Sequence, residues 1–82
     1  MYYVYILRSV SHPAQAYIGS THDLRARVAQ RNAGRSIHTN KFKPWKVEAY
    51  VALPRKELAD KFERYLKTGS GRAFATRHFG SA

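Results

Sequence analysis

The chain has no cysteine, which removes disulfide staples, zinc ribbons and thiol catalysis together and fits a reducing, cytoplasmic setting. Acidic residues are scarce as well: five Asp and Glu stand against 15 Lys and Arg, a formal charge of +10. No run approaches the ~20 apolar residues of a membrane span. The apolar stretch from Met1 to Leu7 is too short for a signal peptide and carries its first charge, Arg8, on the wrong side. With 82 residues there is room for a single small domain, which buries only roughly 60–65% of the surface its unfolded chain would expose. Any site is therefore shallow, and no organic cofactor is expected.

What is present suffices for a fold. Hydrophobic residues make up 44% of the chain and aromatics 13%, enough to exclude wholesale disorder. The first 41 residues carry six basic and one acidic side chain and the remaining 41 carry nine and four, so the cationic character is spread over the domain. Such a surface fits polyphosphate, with nucleic acid ahead of an anionic membrane face or a ribosome surface, which need only the charge.

Residues 2–8 are β-branched, aromatic or aliphatic almost throughout and predict a strand. Residues 9–15, with Ser11, His12 and Pro13, form a turn, and residues 16–20 give a second short strand, making a hairpin. A helix follows, capped by Ser20 or Thr21, with Asp23 in its first turn, Leu24 and Val28 on one face, and an end at residues 32–34. Residues 35–44 have no period, and Arg35, His38, Lys41 and Lys43 make them an exposed cationic loop. Residues 45–53 are a third strand ended by Pro54. The clearest periodicity comes next: Leu58, Ala59, Phe62, Tyr65 and Leu66 form an amphipathic helical stripe. Gly69 closes that helix, Ser70 caps another, and residues 72–79 are a short final helix anchored by Phe74 and Phe79. The order predicts an α+β fold, a small three-stranded, mainly antiparallel sheet flanked by helices.

Alternation along the first strand places Tyr3 and Tyr5 on one face and Val4 and Ile6 on the other, so Tyr5 and Tyr17 can meet across the hairpin. Arg27 and Arg31 lie one turn apart on the first helix, on one flank of the Leu24/Val28 stripe. Glu63 projects from the edge of the later stripe, where it can either pair with Lys67 four residues on or hold a ligand. His12, His22, His38 and His78 have no metal-ligand spacing. Residues 67–72, Lys-Thr-Gly-Ser-Gly-Arg, lack the ending and the preceding strand of a phosphate-binding P-loop and read as a joint between helices.

Val4-Tyr5-Ile6, Tyr17-Ile18-Gly19, Arg27 ten residues after Tyr17, and Glu63 in a late helix resemble, in order and spacing, the GIY-YIG nuclease family. The resemblance runs over nearly the whole chain. It implies a metal-dependent endonuclease that hydrolyses DNA phosphodiesters, with a role in repair or recombination within reach. It makes Tyr5 the base for the attacking water, Tyr17 a neighbour that orients water or phosphate, Arg27 the stabiliser of transition-state charge, and Glu63 the ligand of one Mg2+ or Mn2+ ion. Because an unperturbed tyrosine ionises near ~10, Tyr5 needs cations beside it. Arg31, Arg35, His38, Lys41, Lys43 and Arg72 are the candidate nucleic-acid contacts. Two positions depart from the family pattern. Val4 replaces a glycine, and Arg31 stands where His or Tyr is usual; since Arg accepts no proton, a nucleic-acid-binding module without turnover is the alternative.

Overall fold

In the computed structural model, residues 1–34 and 40–80 are described. The apolar run near the start of the chain forms β1 (Tyr2–Ser9). It lies between β2 (Ala16–Thr21) and β3 (Trp45–Leu53) in an antiparallel sheet of order β2-β1-β3. This central place explains why Val4, Tyr5, Ile6 and Leu7 are all buried: a strand covered on both faces has no reason to alternate in polarity. The hairpin pairs Tyr5 with Gly19 and Leu7 with Tyr17, while β3 sets Tyr50 opposite Tyr5.

Helix α1 (Leu24–Asn32) covers one face. There Tyr5, Leu7 and Trp45 form a cluster with Tyr17, Leu24, Val28 and Phe42. Helices α2 (Lys56–Leu66) and α3 (Gly69–Phe79) cover the other face. There Val4, Ile6, Ala59, Leu66 and Ala75 are buried with Phe62, Phe74 and Phe79 packed around them. The expected α+β fold, the three antiparallel strands and the two aromatic anchors are therefore present. Tyr65 departs from its place in the stripe. It is exposed at the rim, stacked on Phe62 and set against the edge of Phe74.

A bulge supplies both faces from one strand. The pairing of β1 with β3 shifts between Ile6, opposite Ala49, and Leu7, opposite Val47, which leaves Glu48 without a counterpart. Trp45, Val47, Ala49, Val51 and Leu53 alternate as a single apolar stripe in sequence, yet the spare residue sends the first two to the α1 side and the rest to the α2 side. Glu48 instead meets Arg8 on the α2 side: Arg8 Nε and Nη2 donate to its two carboxylate oxygens at 3.1 and 3.0 Å.

The helix boundaries differ from the sequence reading at two starts. Asp23, not Ser20 or Thr21, is the N-cap of α1, its Oδ1 accepting from the Ala26 N–H at 3.0 Å; Thr21 Oγ1 instead accepts from the Asp23 N–H at 3.1 Å and shapes the turn before it. The last helix begins at Gly69 rather than residue 72, and Thr68 rather than Ser70 caps it by accepting from the Gly71 N–H at 3.1 Å. Gly69 thus opens α3 instead of closing α2, which ends at Leu66. The physical reason lies at Gly71, where a Cβ would strike the Tyr65 carbonyl and come within 2.6 Å of Leu66 Cα. Only a glycine lets the new helix cross so close behind the old one.

Candidate active site

Gly19 is the pivot of the site. It faces the same side of the sheet as Tyr5, its partner in register, and a Cβ there would lie 2.5 Å from the Tyr5 hydroxyl and 3.2 Å from Tyr17 Cε1. The missing side chain is thus the space that the Tyr5 hydroxyl and the edge of the Tyr17 ring occupy. The two rings stack with centroids 6.4 Å apart and planes 25° from parallel. The meeting of Tyr5 and Tyr17 anticipated from strand alternation is present.

Helix α1 brings a guanidinium to each tyrosine. Arg27 Nη1 donates to the Tyr5 hydroxyl at 3.4 Å, a long bond, and Arg31 Nη2 donates to the Tyr17 hydroxyl at 2.7 Å. Arg31 also lies over the Tyr17 ring, with Cζ 4.3 Å from the centroid. Because arginine only donates, both hydroxyl oxygens act as acceptors in these bonds. Among the described residues neither arginine has a carboxylate partner, and the buried Nε of Arg31 has no partner at all. The helix end is tied down by Asn32, whose side-chain amide exchanges two hydrogen bonds with the backbone of Trp45. That link fixes α1 against β3 and with it the register of Arg27 and Arg31 over the tyrosines.

Tyr5 is fully buried, with 0% of its surface exposed, so Arg27 stands between its hydroxyl and solvent. Arg27 itself reaches a depression of about 310 Å³ at the β2 edge, which Ser20, Thr21, Lys56, Ala59 and Asp60 also line. Asp60 accepts from Lys56 Nζ at 2.9 Å, and that hydrogen bond, with the Asp60 charge, raises the Lys56 pKa above its ordinary value. This rim is therefore a closed ion pair, whereas Arg27 has no ion-pair partner among the described residues.

Glu63 sits on α2 one turn beyond Ala59, the buried floor of that depression. Its carboxylate accepts from Lys67 Nζ at 2.9 Å, and its side chain is 23% exposed. No hydrogen bond joins it to Tyr5, Tyr17, Arg27 or Arg31. Among the described residues no group of three His, Cys, Asp or Glu side chains converges. A zinc-like ion that needs several protein ligands does not fit. A hard ion that keeps most of its waters fits a single, mostly buried carboxylate at the surface edge, provided Lys67 yields.

The other expected contacts scatter. Arg35 and His38 lie outside the described residues. Lys41 is exposed with Nζ 5.1 Å from the Phe42 ring centroid, and Lys43 reaches back to Gly34 at the end of α1. Arg72 lies away from the tyrosines, in a depression with Ile6, Ile18 and Glu48 on the opposite face of the sheet. The role of Gly19 went unread in the sequence. Its signal is the hairpin register, since a turn over residues 9–15 sets residue 8 opposite 16 and therefore Tyr5 opposite Gly19.

Fold and site together define a small α+β domain with a tyrosine–arginine site on one face of its sheet. Residues 1–76 match the GIY-YIG catalytic domain, and the chain belongs to that family. It is similar to the structure-specific endonuclease subunit SLX1 of Debaryomyces hansenii, 38% identical over 98% of this chain and 24% of that protein. It is also similar to the proteins of the same name from Candida dubliniensis, 36% identical over 98% of this chain and 29% of the relative, and Malassezia globosa, 39% identical over 77% and 15%. The chain thus spans between about a seventh and three tenths of the curated relatives it matches.

Proposed function

We propose that the protein is an endonuclease that hydrolyses DNA phosphodiester bonds with the help of one Mg2+ or Mn2+ ion. One observation carries this reading: two guanidiniums with no carboxylate partner among the described residues hold two tyrosine hydroxyls around Gly19. Unneutralised paired arginines suit a phosphate diester, whose oxygens accept the fork of donors that a carboxylate would otherwise occupy.

In this reading the phosphate enters the depression at the β2 edge and takes the remaining donors of Arg27. The weak 3.4 Å bond to Tyr5 lengthens, and the hydroxyl turns to the water that accompanies the substrate, as apo geometries at catalytic sites often tighten only with substrate. Tyr5, once it has released its own proton to solvent, takes a proton from that water as the water attacks, so the phenol re-forms as the new phosphorus–oxygen bond is made and the leaving oxygen departs from the opposite side of phosphorus. Tyr17, held as an acceptor by Arg31, donates its own proton to a phosphate oxygen or to the same water and so fixes the line of attack. Arg27 stabilises the charge that accumulates on the phosphate oxygens. Glu63 is the chain's ligand for the metal, which supplies stabilisation of the leaving oxygen when bound. The name of the similar proteins, structure-specific endonuclease subunit, makes branched DNA of the kind met in repair and recombination the substrate to try first.

A second reading, a binding module without turnover, is favoured by Arg31, which cannot take up a proton where the family usually has His or Tyr. Nicking of supercoiled plasmid with Mg2+ or Mn2+ and a chelator control separates the two. The proposal expects metal-dependent nicking that Tyr5→Phe abolishes while DNA affinity holds. Wild type that stays silent until Arg31→His restores activity supports the binding module, and nicking by Tyr5→Phe at the wild-type rate overturns the mechanism.

A further inference from the structure

The α1 side of the sheet has a second feature, away from the arginine pairs. Between α1 and β3 lies a depression of about 560 Å³, lined by Tyr3, Asp23, Arg25, Val28, Val47 and Tyr50. Tyr50 is 56% exposed although it sits in mid-strand, and Val47 is exposed beside it. The Tyr3 and Tyr50 rings meet edge to face, with centroids 6.0 Å apart and planes at 64°, so Tyr3 braces Tyr50. The bulge at Glu48 is what places Tyr50 on this side. Asp23 is the one acidic group in the lining, and its carboxylate is engaged by the Ala26 N–H as the cap of α1, where the helix N-terminus offsets its charge.

An open, braced aromatic ring with an arginine at its rim, on a surface of charge +10, selects for an occupant that is aromatic and anionic together. We infer that this depression takes an unpaired nucleobase of a nucleic-acid strand, stacked against Tyr50, with the adjoining phosphate at Arg25. The inference rests on the nuclease reading and names the state of the strand next to the cleavage site. In register Tyr50 lies directly opposite Tyr5, one strand spacing of roughly 4.8 Å away. His22 lines both this depression and the one that Arg27 reaches, so the two adjoin, and a strand with a base seated here can continue to a phosphate held by Arg27. A paired base offers only its edge to such a ring, because both its faces are covered by its neighbours in the duplex. Unpaired bases stack on protein aromatics with little regard to sequence.

The test measures fluorescence anisotropy of a labelled thymidine oligonucleotide of about 12 nucleotides, a length that spans one small binding groove, against a hairpin duplex, without metal. Tyr50→Ala should weaken single-strand binding by about 5- to 150-fold, the effect of losing one stacked base, and leave duplex affinity unchanged, while Tyr50→Phe retains both. Unchanged single-strand affinity in Tyr50→Ala, or an equal loss on duplex, overturns the inference. So does a shift from dimer to monomer in sedimentation with affinity intact, which would make the patch a contact between copies. Tyr50 is exposed on an edge strand, so the variant folds, and thermal melting verifies it. The two readings fail separately. Plasmid nicking by a wild type whose single-strand binding ignores Tyr50 removes only the base site, and Tyr50-dependent binding without nicking removes only the nuclease.

Discussion

Gly19→Ala puts the site geometry to a steric test. Ordinary contact begins near 3.4 Å, and the new methyl would arrive 2.5 Å from the Tyr5 hydroxyl and 2.8 Å from its Cζ. One of them must move by most of an ångström. Tyr5 has nowhere to go: it is fully buried, and Leu7, Trp45, Leu24 and Val28 close around it. The backbone at Gly19 has an ordinary φ, so the substitution adds no strain of its own there. Overpacking of this kind costs ~1–3 kcal/mol, and at ~4–8 °C per kcal/mol for a domain of this size the melting temperature should fall by ~5–20 °C. Removing the hydroxyl relieves the closest clash, so Tyr5→Phe should cost less in the Gly19→Ala background than in wild type, with a coupling of ~0.5–3 kcal/mol. Thermal melts of the four proteins measure both quantities. If Gly19→Ala melts with wild type, or the two changes simply add, the hydroxyl does not occupy the space beside Gly19 and the account of the site is wrong.

Arg31→Met removes a charged hydrogen bond worth ~1.5–3 kcal/mol and a cation–π contact worth ~0.5–1 kcal/mol, but also an orphaned buried donor that costs ~1–3 kcal/mol. Melting should therefore drop by only a few degrees while plasmid nicking is lost; a collapse of the fold would show that Arg31 is mainly structural. Gly71→Ala drives a methyl into the main chain of Tyr65 and Leu66, which no rotamer change relieves, and should cost ~3 kcal/mol or more; a melting temperature equal to wild type would refute the close crossing. Glu63→Gln breaks an exposed helical pair worth only ~0.3–0.5 kcal/mol, so stability should hold while calorimetric Mn2+ binding weakens. Equal Mn2+ affinity would leave Glu63 to Lys67 alone. Affinity for duplex DNA should fall with salt at a log–log slope of about −0.9 per phosphate neutralised, and a flat response would remove the charge argument.

Periodicity revealed the parts of the fold that are locally encoded. The run from Tyr3 to Leu7, the stripe of Leu58, Ala59, Phe62 and Leu66, and Pro54 each specify their element without help from elsewhere. Helix starts were less legible, since Ser20, Thr21 and Asp23 are all competent caps and only the turn that Thr21 makes with Asp23 decides among them. The division of β3 was invisible for a clear reason: its five apolar residues alternate without a break, and the bulge exists only because β1 is there to pair with. At the site, alternation predicted that Tyr5 and Tyr17 meet, and helical spacing put Arg27 and Arg31 on one flank. Which arginine takes which hydroxyl, and the burial of Tyr5, depend on how α1 docks, which Asn32 and Trp45 fix from opposite sides of residues 33–44.

The position of β1 has a consequence for motion. Among the described residues it is the only strand bonded on both sides, and its side chains enter both hydrophobic clusters. Separating either neighbouring strand strips hydrogen bonds from this one segment, whereas the helices can loosen without breaking any of them. In hydrogen–deuterium exchange the amides of residues 3–7 should be the slowest, released only by global unfolding. Tyr5 thus belongs to the stretch of chain with the least freedom, while Arg27 and Arg31 ride on a helix that can lift from the sheet on its own. Breathing of α1 alone would part the guanidiniums from the tyrosines and leave the rest of the domain intact.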